Sequence, residues 1–145
     1  MKIKFKKLNE GAHVPTAGSK YSAGFDLYAN IPQGEITIGP GETVKVGTGL
    51  SFELPESTFG AIFARSGLAT KQGLRPANCV GVCDCDYRGE YIVAIHNDSS
   101  ESSNVHHGDR IAQLVLLPYI PMEFEEAEDL SETARSEGGF GSTGK

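Results

Sequence analysis

Apolar residues recur in this chain with period two, in short runs that Gly or Pro soon cuts off, a pattern that suits strands and leaves little room for helix. Ile3 to Leu8, Glu35 to Ile38, Thr43 to Val46 and Leu50 to Leu54 alternate between apolar and polar positions. Phe59 to Phe63, Tyr91 to Ile95 and Ile111 to Leu117 add β-branched and aromatic runs. The breaks fall at Pro32-Gln-Gly34, Gly39-Pro-Gly41, Gly47-Thr-Gly49, Gly89 and Pro118 to Pro121. The expected fold is all-β, a distorted barrel or jelly-roll-like single domain. One short helix is expected, a turn or two from Ser66 through Lys71. The core should run over residues 1–130, and residues 131–145 should form a flexible C-terminal arm.

Charge narrows the partners. Nineteen acidic and thirteen basic residues give a net charge of -6 over 145 residues, which argues against binding nucleic-acid backbones or anionic membranes. Much of the acidic excess lies at Glu123, Glu125, Glu126, Glu128, Asp129 and Glu132, as on a solvated strand edge and linker. The start Met1-Lys-Ile-Lys-Phe-Lys-Lys7 has no apolar h-region and no run reaches membrane-spanning length, so a cytoplasmic protein is expected. Cys79, Cys83 and Cys85 are odd in number and close together, which favours reduced, packed thiols over a disulfide framework. A zinc site would need a fourth ligand from His106 or His107, which fit better in a polar loop.

Gly139 to Lys145 spells the GxxxxGK of a P-loop, yet no hydrophobic strand leads in and no helix is expected to follow. A phosphate-gripping role remains open for this stretch. Gly141 frees the backbone to curl around an anion, Ser142 and Thr143 add hydroxyl donors, and Phe140 offers a face for stacking. The alternative is a disordered Gly/Ser-rich tail.

Asn78 to Arg88 carries the other polar chemistry. On one straight strand Asn78 and Asp84 would share a face but stand roughly 20 Å apart. They can serve one small ligand if the chain folds back near Gly81 into a hairpin with a narrow throat. An amide suits the edge of a nucleobase, since Asn both donates and accepts, and Asp84 could polarise a water. An Asx turn at Asn78 and turn-capping carboxylates at Asp84 and Asp86 are the ordinary alternatives. Arg65, Ser66 and Gly67 stand between a β-run and the helical turn, a position suited to phosphate oxygens, although Ser66 could serve as a plain N-cap. Gln113 interrupts an apolar run, while Asp109 and Arg110 are expected to form structural ion pairs.

Five collinear segments resemble the motifs of trimeric dUTPases. They are Ala23-Gly-Phe-Asp-Leu-Tyr-Ala29, Ala64-Arg-Ser-Gly-Leu-Ala69, Gly81-Val-Cys-Asp-Cys-Asp-Tyr-Arg-Gly89, Gly108-Asp-Arg-Ile-Ala-Gln113 and Arg135-Ser-Glu-Gly-Gly-Phe-Gly-Ser-Thr-Gly144. The resemblance implies a homotrimer with shared active sites that uses Mg²⁺ to hydrolyse dUTP to dUMP and pyrophosphate. It implies that Asp84 activates the attacking water, that Tyr87 packs under the deoxyribose, and that Asn78 and the Gly81 backbone read uracil. Arg65, Ser66, Gly67 and Gln113 correspond to phosphate-side residues. Asp26 corresponds to a carboxylate near the hydrated metal. Arg135, Phe140, Gly141, Ser142 and Thr143 correspond to the arm that closes over the nucleotide. The chain departs from the family pattern at Ser136, usually Gly, at Ala64, commonly Pro, and at Cys83, more often a branched aliphatic. A dCTP deaminase of the same fold would need a glutamate where Ala94 stands.

Overall fold

The computed structural model describes residues 1–139. Among them the elements follow in the order β1 (Lys4–Lys7), β2 (Thr16–Ala17), β3 (Phe25–Tyr28), β4 (Glu35–Ile38), β5 (Thr43–Gly47), β6 (Leu50–Glu53) and β7 (Thr58–Phe63). Then come α1 (Ser66–Gln72), β8 (Leu74–Pro76), β9 (Val80–Asp84), β10 (Ile92–Asn97), β11 (Ser103–His106) and β12 (Arg110–Pro118). No described helix is long and apolar enough to cross a membrane.

The strands pair antiparallel into four sheets. The largest has the order β2-β3-β12-β7-β9, a second has the order β5-β10-β8, and β1-β6 and β11-β4 are two-stranded. The fold is all-β and jelly-roll-like with one short helix, as expected, and the strands do not close into a single barrel. Period-two alternation becomes packing directly. On β5, Thr43 and Lys45 face out while Val46 is fully buried. Leu27, Ile38, Leu50, Leu74, Tyr91 and Ile95 join Val46 in one apolar core. Asn97 is buried with them because its amide is satisfied: Nδ2 donates to the carbonyls of Ile38 and Glu101, and Oδ1 accepts from Ser99.

The helix departs from the sequence reading in one respect. Arg65 occupies the N-cap with extended backbone and no side-chain cap bond, so Ser66 is the first helical residue and not the cap. Gly73 ends the helix at φ 68°, a left-handed conformation that glycine adopts without strain.

Two pairings position the functional residues. β12 lies between β3 and β7, with Gln113 opposite Asp26 on one side and Phe63 on the other. At the far side of β7, β9 runs antiparallel so that Val80 faces Phe63 and Asp84 faces Phe59. Arg65 therefore lies just past one end of β7 and Asp84 beside the other.

Candidate active site

The end of β7, the start of β12 and the middle of β3 converge on a cleft of about 520 Å³. Gly24, Asp26, Arg65, Ser66, Gly67 and Gln113 line it, so segments from three distant parts of the sequence meet there. Asp26 organises its charge. Its Oδ1 accepts from Arg65 Nε at 2.7 Å, and its Oδ2 accepts from Arg110 Nη1 at 3.3 Å. Two guanidinium groups around one carboxylate leave a net positive charge in an otherwise acidic protein.

Gln113 is held as firmly. Its Nε2 donates to the Ala64 carbonyl at 2.9 Å, which ties β12 to the residue before Arg65. Its Oε1 lies over the bare Cα of Gly24, where a Cβ would approach to 2.7 Å. The amide thus positions Arg65 through the backbone and turns an acceptor toward the Gly24 wall. Sequence reasoning gave Arg110 only a structural ion pair, yet its partner is Asp26 and it lines this cleft. Asp109 instead accepts from the His106 N–H at 2.8 Å, closing the turn before β12.

The segment from Asn78 to Tyr91 forms a second site, and here the expected fold-back near Gly81 is corrected. Gly81 lies inside β9 opposite Ile62. The chain turns instead at Cys79, whose φ of 61° allows Val80 N–H to reach the Asn78 carbonyl at 2.6 Å. This is a γ-turn in the left-handed region, a conformation that costs a non-glycine residue about 1–3 kcal/mol. Its effect is to lay the Asn78 amide back over the strand, with Nδ2 at 3.6 Å from where a Gly81 Cβ would stand. That Cβ would also come within 3.1 Å of the Ile62 Cβ, so a side chain at Gly81 would press on Ile62 and require it to shift by a few tenths of an ångström. From Gly81 to Asp84 is then about 10 Å along β9, on alternate faces of the strand, and neither Asn78 nor Gly81 lines the slot that holds Asp84.

A second turn follows Asp84, whose carbonyl accepts from the Tyr87 N–H at 3.1 Å. The Tyr87 ring rests on Gly89, where any side chain would collide with it, and its hydroxyl donates to the Glu90 carbonyl at 3.1 Å. Val82, Asp84, Tyr87, Glu90 and Ile92 border a slot of about 230 Å³ between β9 and β10. The Asp84 side chain is exposed at its mouth and has no hydrogen bond or ion pair among the described residues. Cys83 faces the other way, half-buried beside Tyr91, and burial pushes its thiol up.

Cleft and slot do not meet within one chain. Asp84 pairs with Phe59 and Arg65 follows six residues later along β7, a span of roughly 20 Å. Arg135 is remote from both in its contacts: its Nε donates to the Gly138 carbonyl at 2.8 Å, closing a turn of its own segment. Phe140, Gly141, Ser142 and Thr143 lie outside the described residues.

Comparison with known proteins places the fold and the chain in a family. A family model for dUTPase matches residues 10–144. A deoxyuridine 5′-triphosphate nucleotidohydrolase of Desulfitobacterium hafniense is 51% identical over 145 residues, covering 99% of this chain and 95% of its own. The solved dUTPase of Staphylococcus bacteriophage 80alpha with dUPNHPP superposes at a TM-score of 0.89, with 26% identity over 99% of each chain. A dUTPase variant from phage phi11 of S. aureus, described with a structural Mg(II) ion, shares the fold at a TM-score of 0.81 and 22% identity, over 91% of this chain and all of its own. The chain belongs to the dUTPase family.

Proposed function

We propose that this protein hydrolyses dUTP to dUMP and pyrophosphate, at sites each assembled from more than one copy of the chain. The observation that carries the reading is the cleft: Asp26, Arg65, Ser66, Gly67 and Gln113 converge there into a cationic cradle of triphosphate size. The slot supplies the complementary half. Asn78 and the Gly81 backbone would read the uracil edge, and the Tyr87 ring would lie under a deoxyribose, leaving no room for a 2′-hydroxyl. Asp84 at the mouth would take a proton from water as the water oxygen attacks the α-phosphorus. The bond to the bridging oxygen then breaks and pyrophosphate leaves.

A triphosphate carries about four negative charges, and Mg²⁺ bound to it would neutralise part of them and draw charge toward the leaving pyrophosphate. The residues present fit such an ion. Magnesium on a nucleotide keeps several waters and needs few protein ligands. Among the described residues no three His, Cys, Asp or Glu side chains converge on a metal position. Asp26 would therefore hold it through water, using carboxylate lone pairs left over from its two arginine contacts.

The split between cleft and slot supports sharing between copies, since a water at the α-phosphate must lie within one nucleotide of both Asp84 and Arg65. On the family resemblance the assembly would be a homotrimer. An apolar groove of about 380 Å³, lined by Ile3, Phe5, Phe25, Leu54 and Leu116 among others, offers a contact face for a neighbouring copy. Residues beyond β12 leave the core with Ile120, Met122 and Phe124 exposed, as a segment bound for another subunit would. In this reading residues 131–145 are the arm, with Arg135, Phe140, Gly141, Ser142 and Thr143 closing over the nucleotide, and the enzyme acts in the cytoplasm, where DNA precursors are made.

The test is pyrophosphate release with Mg²⁺ from dUTP, dCTP, dTTP and UTP. Hydrolysis confined to dUTP is expected. Equal turnover of dTTP, or ammonia release from dCTP, would overturn the reading.

A further inference from the structure

We propose that Glu90 is a positioning residue for sugar selection: its carboxylate, seated on the turn between β5 and β6, fixes the support on which the Tyr87 ring lies. This rests on the reading of the slot as the deoxyribose-binding half of the site. Tyr87 takes its place from the residues just after it, since its ring covers Gly89 and its hydroxyl donates to the Glu90 carbonyl. Those residues lie outside the pairing of β10, which begins at Ile92. Among the described residues, only the Glu90 side chain ties the segment from Asp86 to Glu90 to another element by a hydrogen bond. Its Oε1 accepts from the Gly49 N–H at 2.7 Å, a short charge-assisted contact. The other bonds, from the Tyr87 N–H to the Asp84 carbonyl and from Arg88 Nη1 to the Cys85 carbonyl, only close the turn after β9.

Gly47-Thr48-Gly49 is shaped to receive this carboxylate. Gly49 stands at φ 69°, in the left-handed region, and a Cβ there would approach Asn30 Nδ2 to 2.6 Å and Ala12 Cβ to 2.8 Å. Gly47 has no such backbone, yet a Cβ on it would collide with Glu90 Oε1 and with no other residue. Thr48 completes the seat: its N–H and its Oγ1 both donate to the Tyr91 carbonyl, at 3.1 and 2.7 Å. The Tyr91 N–H in turn donates to the Leu50 carbonyl at 2.8 Å. The backbone therefore pins the chain at Tyr91, and Glu90 supplies a second point that stops the preceding segment from pivoting there. Among the described residues no lysine or arginine pairs with Glu90, so ion pairing does not account for its place. A Tyr87 ring free to tilt would open space beneath the sugar, and a 2′-hydroxyl would then fit.

The experiment measures kcat/KM for dUTP and UTP, calorimetric affinity for dUMP and UMP, and thermal melting, in the wild-type protein, Glu90→Ala, Glu90→Gln and Gly47→Ala. Glu90→Ala is expected to narrow the preference for dUTP over UTP about 10-fold or more, and the preference for dUMP over UMP in step, because exclusion of a hydroxyl needs a fixed wall. Glu90→Gln should restore most of the preference, since an amide oxygen can also accept from the Gly49 N–H. Gly47→Ala should act like Glu90→Ala from outside the slot, by pushing the carboxylate off its seat, and the two changes combined should do little more than either alone. A purely structural role would lower melting temperature and the turnover of both nucleotides together, so an unchanged preference in Glu90→Ala overturns the proposal. If Glu90→Ala does not fold, Gly47→Ala decides, and an unchanged preference there overturns it as well. A wild-type protein that does not favour dUMP over UMP would refute the reading of the slot itself, and the role of Glu90 with it.

Discussion

Tyr91 is 1% exposed, yet its hydroxyl has no hydrogen-bond partner among the described residues, and the polar group beside it is the Cys83 thiol. Burial raises the proton affinity of both groups, the phenol well above its ordinary 10.0 and the thiol above its ordinary 9.0. The sign follows from their charges. Each is neutral when protonated, so the folded protein holds these protons more tightly than the unfolded chain does. Their contribution is complete below the unfolded values and is lost as pH rises through the folded ones. Denaturant midpoints should therefore fall between about pH 8 and about pH 11, and Tyr91→Phe should flatten that fall. Because the hydroxyl has no partner among the described residues stronger than the Cys83 thiol, Tyr91→Phe should cost less than about 1 kcal/mol near pH 7. An alkaline loss of the same size in both proteins would mean that other groups cause it. Asp84 is the opposite case, exposed and without a side-chain partner. Asp84→Asn should leave melting and dUTP affinity unchanged and lower kcat at least about 100-fold; turnover near wild type would take the water-activating role away from Asp84.

Elements differ in how plainly the sequence announces them; length helps, although four-residue β1, β4 and β6 are legible because apolar and polar residues alternate across them and their flanks. β5, β7, β10 and β12 have five to nine residues, long enough for alternation or an unbroken apolar run to show. β2, β3, β8 and β11 have two to four, and only their partners make them strands. The hairpin residues were legible as a group, but the turn at Cys79 was not, because a left-handed φ at a cysteine has no propensity signal. Arg110 was misplaced for a similar reason: its sequence neighbour Asp109 looked like its partner, whereas the bulge in β12 sends it to Asp26, eighty-four positions away. Residues 119–139 contain no strand or helix and are almost entirely exposed, in keeping with an arm. Ser136 stands there at φ 44°, the left-handed region, where a glycine would be unstrained. A chain ending at Thr133 should keep its melting temperature within a few degrees of wild type, since among the described residues no buried core residue lies beyond it. If residues 131–145 close over the nucleotide as proposed, its dUTP turnover should fall by about 100-fold or more. A truncated protein that unfolds would show that the segment is structural.

For the whole molecule the decisive quantity is the roughly 20 Å along β7 between Asp84 and Arg65. If a nucleotide's α-phosphate meets Asp84 while its β-phosphate meets Arg65, as proposed, that span is too long for one chain, and a working site would take the slot of one copy and the cleft of another. Two inactive variants expose this arrangement. Asp84→Asn keeps the cleft and loses the carboxylate proposed to activate water, whereas Arg65→Gln keeps that carboxylate and loses a cation of the cleft. When the two are unfolded together in equal amounts and refolded, a site recovers if its slot comes from the Arg65→Gln chain and its cleft from the Asp84→Asn chain. With random assembly in a closed three-fold ring each choice has a probability of about one-half, so roughly a quarter of sites should work, against the residual activity of either parent. Sites contained within single chains would give no recovery, because no chain in the mixture carries both groups. Mixed oligomers, proven by a tag on one variant, that remain as inactive as their parents would place Asp84 and Arg65 in one chain's site and require the hairpin to swing across its own sheet.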